Sequence, residues 1–288
     1  MVHLGLGLGI PYGSAAGAVE VPLNPIAVAR MTAIYAAGGT CPVGQAAATQ
    51  LLSDFINAEQ NNGNWSLHRR IYIPGFGNAA ANAIDIVTGN SGQFSAGGIT
   101  HGVGFAQGNG TSGFFDMLVT PVAAGLVPGS ATIWVHVLQA GSGTGFRSVQ
   151  GTTQVGSRLL TAARNAGLTQ FAFGDTSGGV TATLTVADAD GRGIYLASET
   201  ATNSRYLRVR RSSGIALTNT NTSVPTNPTF CTINQRVFVW NNSGSNSGFN
   251  DAQLSGYGKA LGMTTAQADA FTANYRTLWE GLFGLLLP

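Results

Sequence analysis

The sequence predicts a mainly β protein: an antiparallel jelly-roll β-sandwich, preceded by a helical hairpin and closed by a C-terminal helix. Three observations carry that expectation. Ten or more short apolar runs, separated by Gly, Asn and Ser, recur at spacings near ten residues through the middle of the chain. One of them, "GSATIWVHVLQAGS" (129–142), is almost continuously apolar and reads as a buried strand. Helical periodicity is confined to the two ends.

The first element is "LGLGLGIPYG" (4–13). It is not a dinucleotide loop: Ile10 stands where a third glycine is needed, no strand precedes it, and Pro11 stops a helix. A signal peptide is not expected either, since "MVH" carries no Lys or Arg and glycine dilutes the apolar part. In an extended chain Leu4, Leu6, Leu8 and Ile10 face one way and three glycines the other. Such a ribbon orders either as the first strand of the chain's own sheet or by adding to a neighbour. The second is the expectation here, with residues 1–25 as anchor and linker.

Residues 26–64 predict the helical hairpin. Pro25 opens the first helix and Gly38-Gly39 ends it, with Ala27, Met31 and Ile34 on one face. The second helix places Leu51, Phe55 and Ile56 together and closes at Gly63.

Residues 65–288 predict the sandwich and its closing helix. "RRIYIP", "ANAIDIVTG", "GQFSAG", "GVTATLTVAD" and "RVFVWNNSG" read as strands, and Asp190-Gly191 as a hairpin turn. In the hairpin 192–211, matching the apolar residues puts Ile194, Leu196, Leu207 and Val209 on one face. Tyr195, Ala197, Glu199, Tyr206, Arg208 and Arg210 then share the other. Tyr195, Tyr206, Arg208 and Arg210 are therefore the candidate ligand-binding residues, since Tyr and Arg are favoured at binding surfaces. At the end, Thr264 or Thr265 caps a helix with Ala268, Phe271, Tyr275, Leu278 and Leu282 at spacings of three and four.

Composition narrows the function. Only 9% of the 288 residues are charged, against about 25% in an average soluble protein. A surface of small neutral polar groups suits a chain packed into an assembly. A net charge of +2 gives no footing for nucleic-acid binding, and no run reaches the roughly 18 apolar residues of a membrane span. Cys41 and Cys231 are far apart and read as free, buried thiols. His3, His68, His101 and His136 form no metal spacing, and His136 alternates within "IWVHV" as a hydrogen-bonded core residue. Glu20, Glu59, Glu199 and Glu280 form no paired-carboxylate cluster, so no catalytic residue, metal or cofactor is expected.

Several segments resemble phage and prophage virion proteins. "AAGGT" followed by "QLLSDFINAEQNNGNW" is similar to their helical preamble, and "RIYIPGFGNAAANAIDIVTG" to their first strands. "ITHGVGFAQGNGTSGFFDMLV" resembles the opening of a laminin-G or concanavalin-like jelly roll, and "LGMTTAQADAFTANYRTLW" the closing helix. The resemblance implies a non-enzymatic tail-fibre, head-fibre or decoration protein, assembled in the host bacterial cytoplasm. It would be fixed to other virion proteins by its N-terminus and present a sandwich to a host-surface glycan. A symmetric homo-oligomer, most simply a trimer, goes with that role. The alternatives are a glycan-cleaving sandwich with a non-standard carboxylate pair and a purely architectural capsid or tail subunit.

Overall fold

The computed structural model describes residues 22–142, 147–154, 157–165, 168–173, 182–224 and 229–288. Leu4, Leu6, Leu8 and Ile10 lie outside the described residues. In chain order the elements are α1 (Pro25–Ala36), α2 (Gly44–Asn61), a 3-10 turn (Trp65–Leu67), β1 (His68–Tyr72) and α3 (Ala79–Asn82). Then come β2 (Gln93–Phe94), β3 (Ile99–Gly102), β4 (Phe105–Gly108), β5 (Phe115–Asp116), β6 (Ala131–Gln139), β7 (Arg147–Gln154), β8 (Ser157–Asn165), β9 (Leu168–Phe173) and β10 (Ala182–Ala187). They are followed by β11 (Gly193–Ala201), β12 (Ser204–Arg211), β13 (Gly214–Asn221), β14 (Arg236–Val237), β15 (Trp240–Asn242), β16 (Ser245–Ser247), β17 (Gln253–Ala260) and α4 (Thr265–Phe283).

The strands form two sheets. The first runs β13-β12-β11-β6-β17-β4-β3, with β1 also paired to β17; the second runs β10-β9-β8-β7-β14-β5-β2, with β15 on β7 and β16 on β15. Among the described residues every strand pairing is antiparallel except β15 with β7. Ile133, Val135 and Val137 of β6 meet Val149, Leu159, Phe171, Phe173 and Leu184 of the second sheet in one buried cluster. At one end the sheets are stitched together by side chains: Asn219 and Asn221 of β13 donate from Nδ2 to the carbonyls of Thr185 and Thr183 on β10, each at 2.9 Å.

The other face of the first sheet is covered by the helices. Trp134, Ile194 and Leu196 join Met31, Ile34, Leu52, Phe55, Ile56, Phe271, Tyr275, Leu278 and Trp279 in a second buried cluster. The first sheet is thus buried on both sides, which is why β6 reads as continuously apolar. Close approach of α4 and of β1 to β17 depends on glycine. A Cβ at Gly256 would stand 2.0 Å from the Tyr275 hydroxyl, and one at Gly258 would stand 2.2 Å from the Arg70 carbonyl.

The helix ends follow the sequence signals. Asn24 caps α1 ahead of Pro25, and Gly63 takes a left-handed φ of 71° just past α2. Thr264 caps α4 in a capping box with Gln267. Cys41 and Cys231 are free and buried.

Three strand expectations are corrected. The first two residues of "ANAIDIVTG", Ala81 and Asn82, belong to α3 and not to a strand, because the Asn78 side chain accepts the Ala81 N–H and starts a turn. Asp85 then wraps the following residues by accepting from Val87 and Thr88. The run "RVFVW" is broken in two by Phe238, whose φ is 65°. Asp190-Gly191 is a turn but not a hairpin: β10 and β11 belong to different sheets. The turn is held by Asp188 Oδ1, which accepts from the N–H groups of Asp190 and Gly191.

Candidate functional site

The face assignment in the β11–β12 hairpin is also overturned. The register pairs Ile194 with Arg210, Leu196 with Arg208, Ser198 with Tyr206 and Tyr195 with Val209. Directly opposed residues share a face, so Ile194, Leu196, Tyr206, Arg208 and Arg210 point toward α4. Tyr195, Ala197, Leu207 and Val209 point between the sheets. The sequence argument assumed one solvated face, and neither face is.

The four side chains expected to meet a ligand are engaged inside the fold. Tyr195 is 1% exposed and its hydroxyl donates to Asp188. Tyr206 is 6% exposed and its hydroxyl donates to the carbonyls of Met263 and Thr264 at the entry to α4. Arg210 donates from Nε to the Thr272 hydroxyl and from Nη2 to the Asp269 carbonyl, at 2.8 and 2.9 Å. Arg208 pairs with Asp269 at 3.5 Å. All four hold the helix layer or the inter-sheet turn in place.

A cleft with ligand chemistry lies at the far edge of the second sheet. It encloses about 230 Å³ and is lined by Gln93, Phe94, Ser95, Ala96, Phe114, Asp116 and Arg236. Three short strands assemble it: β5 pairs with β2 on one side and with β14 on the other. Gln93 and Arg236 both stand opposite Asp116 in register, so the three share one face of the sheet. Phe115 between them turns inward and is fully buried.

The polar centre of the cleft is an ion pair. Arg236 Nε donates to Asp116 Oδ2 at 3.1 Å, and the guanidinium carbon lies 4.9 Å from the centre of the Phe114 ring. Arg236 Nη1 donates to Asn246 Oδ1 at 2.6 Å. Asp116 Oδ1 accepts the Leu118 N–H at 2.8 Å, and that bond accompanies the left-handed Leu118, with φ 52°. Ser95 holds the loop: its hydroxyl accepts from the Phe114 N–H and donates to the Gly97 carbonyl. Gln93 is exposed, and its amide makes no hydrogen bond among the described residues.

Behind the cleft, Phe94 stacks edge-on against His101 at 4.5 Å and packs on Phe115 at 4.6 Å. His101 Nδ1 is 2.9 Å from Asn82 Nδ2, and burial holds its pKa below the ordinary histidine value. The arrangement offers two aromatic rings, an exposed amide and a fixed guanidinium–carboxylate pair. That is the equipment of a small polar-ligand site, a few oriented polar groups beside aromatic walls. Sequence reading missed it. "RVFVWNNSG" reads as a strand and "ITHGVGFAQGNGTSGFFDMLV" only resembles the opening of a jelly roll, and nothing local indicates that Asp116 and Arg236, 120 residues apart, are neighbours.

No protein-family model matches the chain, and no curated protein sequence does. Among solved structures, the chain is similar to Ruminococcus gnavus IT-sialidase CBM40. The identity is 11%, over 51% of this chain and 84% of that one, with a TM-score of 0.39. It is similar to the receptor-binding domain of botulinum neurotoxin mosaic serotype C/D, with 6% identity over 73% of this chain and 51% of that one, and a TM-score of 0.49. A third likeness is to the enzymatically active domain of tailspike protein 2 of bacteriophage CBA120. There the identity is 14% over 69% of this chain and 30% of that one, with a TM-score of 0.38. The chain spans about half the length of the toxin domain and under a third of the tailspike chain.

Proposed function

We propose that this protein is a non-catalytic, glycan-binding β-sandwich subunit of a phage virion, and that the cleft between β2, β5 and β14 receives the sugar. The observation that carries the binding role is the grouping of Phe94, Phe114, Gln93 and the Arg236–Asp116 pair in one cleft. Sugars present both an apolar ring face and hydroxyls, and aromatic walls with planar polar groups match both. The lining holds one carboxylate, Asp116, with both oxygens already hydrogen-bonded. Glycoside hydrolysis ordinarily needs two acting together, which favours binding over cleavage.

The virion setting is supported by the sequence resemblance, by the sparse surface charge and by the Leu4–Ile10 ribbon, which we assign as the anchor to other virion proteins. A homotrimer fits that setting. The test of the binding role is a glycan array with the wild type, Phe114→Ala and Arg236→Ala. Binding by the wild type that falls at least about ten-fold in each variant supports it. Wild-type binding to no glycan, or binding untouched in both variants, refutes it. Deleting residues 1–13 should abolish incorporation into particles; normal incorporation would remove the anchor.

A further inference from the structure

The charge on the cleft wall is already balanced. Among the lining residues Arg236 is the one cation and Asp116 the one anion, and they are bonded to each other. An arginine recognises a carboxylate best through two parallel N–H bonds from one edge of its fork. Both edges of Arg236 are compromised. The Nε side is turned to Asp116, and the end between the two terminal nitrogens has Nη1 on Asn246. Only Nη2 makes no hydrogen bond among the described residues. A carboxylate brought to that nitrogen would also approach the Asp116 oxygens, and like charges at such range repel.

A hydroxyl meets neither obstacle. It can accept from Nη2 and trade hydrogen bonds with the Gln93 amide, which is both donor and acceptor. Arg236 lies over one face of the Phe114 ring, and what Phe94 and Phe114 add to the cleft lining is aromatic wall, which suits the C–H side of a pyranose ring better than an anionic substituent. We infer that the cleft selects uncharged sugars and discriminates against sugars bearing a carboxylate, such as uronic and sialic acids. This deepens the glycan-binding reading and rests on it.

The experiment uses the full chain and two pairs of probes: galactose against galacturonic acid, which differ in one carboxylate, and lactose against sialyllactose, which adds one carboxylate-bearing sugar. Titration calorimetry should give the neutral member of each pair at least about ten-fold tighter binding. Its affinity should stay level between low and high salt, since no net charge is being paired. Asp116→Asn removes the repelling charge and should narrow the neutral-over-acidic ratio several-fold. Equal or tighter binding of the acidic members overturns the inference while leaving the glycan role intact. A ratio that D116N leaves unchanged does the same. No binding of any sugar overturns the glycan role and this inference with it. The wild-type ratios decide the matter even if D116N does not fold.

Discussion

Arg210 Nε donates to the Thr272 hydroxyl across 2.8 Å, fastening a strand of the first sheet to the closing helix. Beside that bond, Arg210 also reaches the Asp269 carbonyl, and Tyr206 reaches the carbonyls of Met263 and Thr264. The Tyr- and Arg-rich strand face therefore serves to hold a helix. Arg210→Ala should cost about 1–3 kcal/mol by denaturant unfolding, because it leaves half-buried acceptors unpaired. Arg210→Lys should recover little, since one ammonium cannot reproduce two guanidinium bonds in fixed geometry. The binding proposed for the distant cleft should survive both changes.

Gly258→Ala should be far more damaging than its size suggests. The added methyl would sit 2.2 Å from the Arg70 carbonyl and 2.6 Å from Trp134 Nε1. Neither can retreat, as one is strand backbone and the other a fully buried ring system. The expected loss is about 4 kcal/mol or more, at the exceptional end for a point change. Gly63→Ala is the comparison. Its Cβ meets open space, so only the left-handed φ of 71° opposes it, at about 1–2 kcal/mol. Urea midpoints of the two variants should differ clearly in that order.

Leu52→Ala tests whether the helical hairpin unfolds apart from the sandwich. Leu52 is 1% exposed and shares one cluster with Trp134 of β6 and Leu196 of β11. A loss of about 2–5 kcal/mol is expected. Helical circular dichroism and tryptophan fluorescence should still report one coincident transition. Two separated transitions would show that the hairpin is an independent unit.

Lys259 is the sole lysine and is fully buried, donating to the Val119 carbonyl at 3.3 Å. Burial, reinforced by Arg70 and opposed by Asp85 and Asp116, pushes its pKa down to about 7. Above that value the unfolded chain still binds the proton and the folded chain does not. The lysine therefore adds stability as pH rises from about 7. Over pH 7 to 8 the gain should be about 1 kcal/mol, and Lys259→Met should flatten it. At higher pH the trend reverses, because burial raises the Cys41 and Cys231 thiols and the unfolded chain loses those protons first. Chemical denaturation at several pH values checks the slope.

The helices were legible because their signals are local. Pro25, Gly63 and Thr264 mark ends, and Met31, Ile34, Phe55, Phe271 and Tyr275 recur at helical spacing. The buried strand β6 was legible from its unbroken apolar run. Strand parity was not, because alternation identifies a core face only when the other face is wet. Here Leu196 packs under helices while Leu207 packs between sheets opposite Ala197, so the large aliphatic residues of the two strands lie on opposite faces. The cleft was illegible for a different reason. It depends on β2, β5 and β14, each two residues long, too short to carry a period.

The amide stitches from Asn219 and Asn221 to β10 have a consequence for solubility. A sparsely charged protein with open sheet margins risks recruiting further chains into a growing fibril. Two carbonyls of that margin strand are already claimed by side chains of the same molecule. The bonds come from neutral amides, so this protection of the two carbonyls should persist in high salt, where defences built on lysine or glutamate repulsion fade.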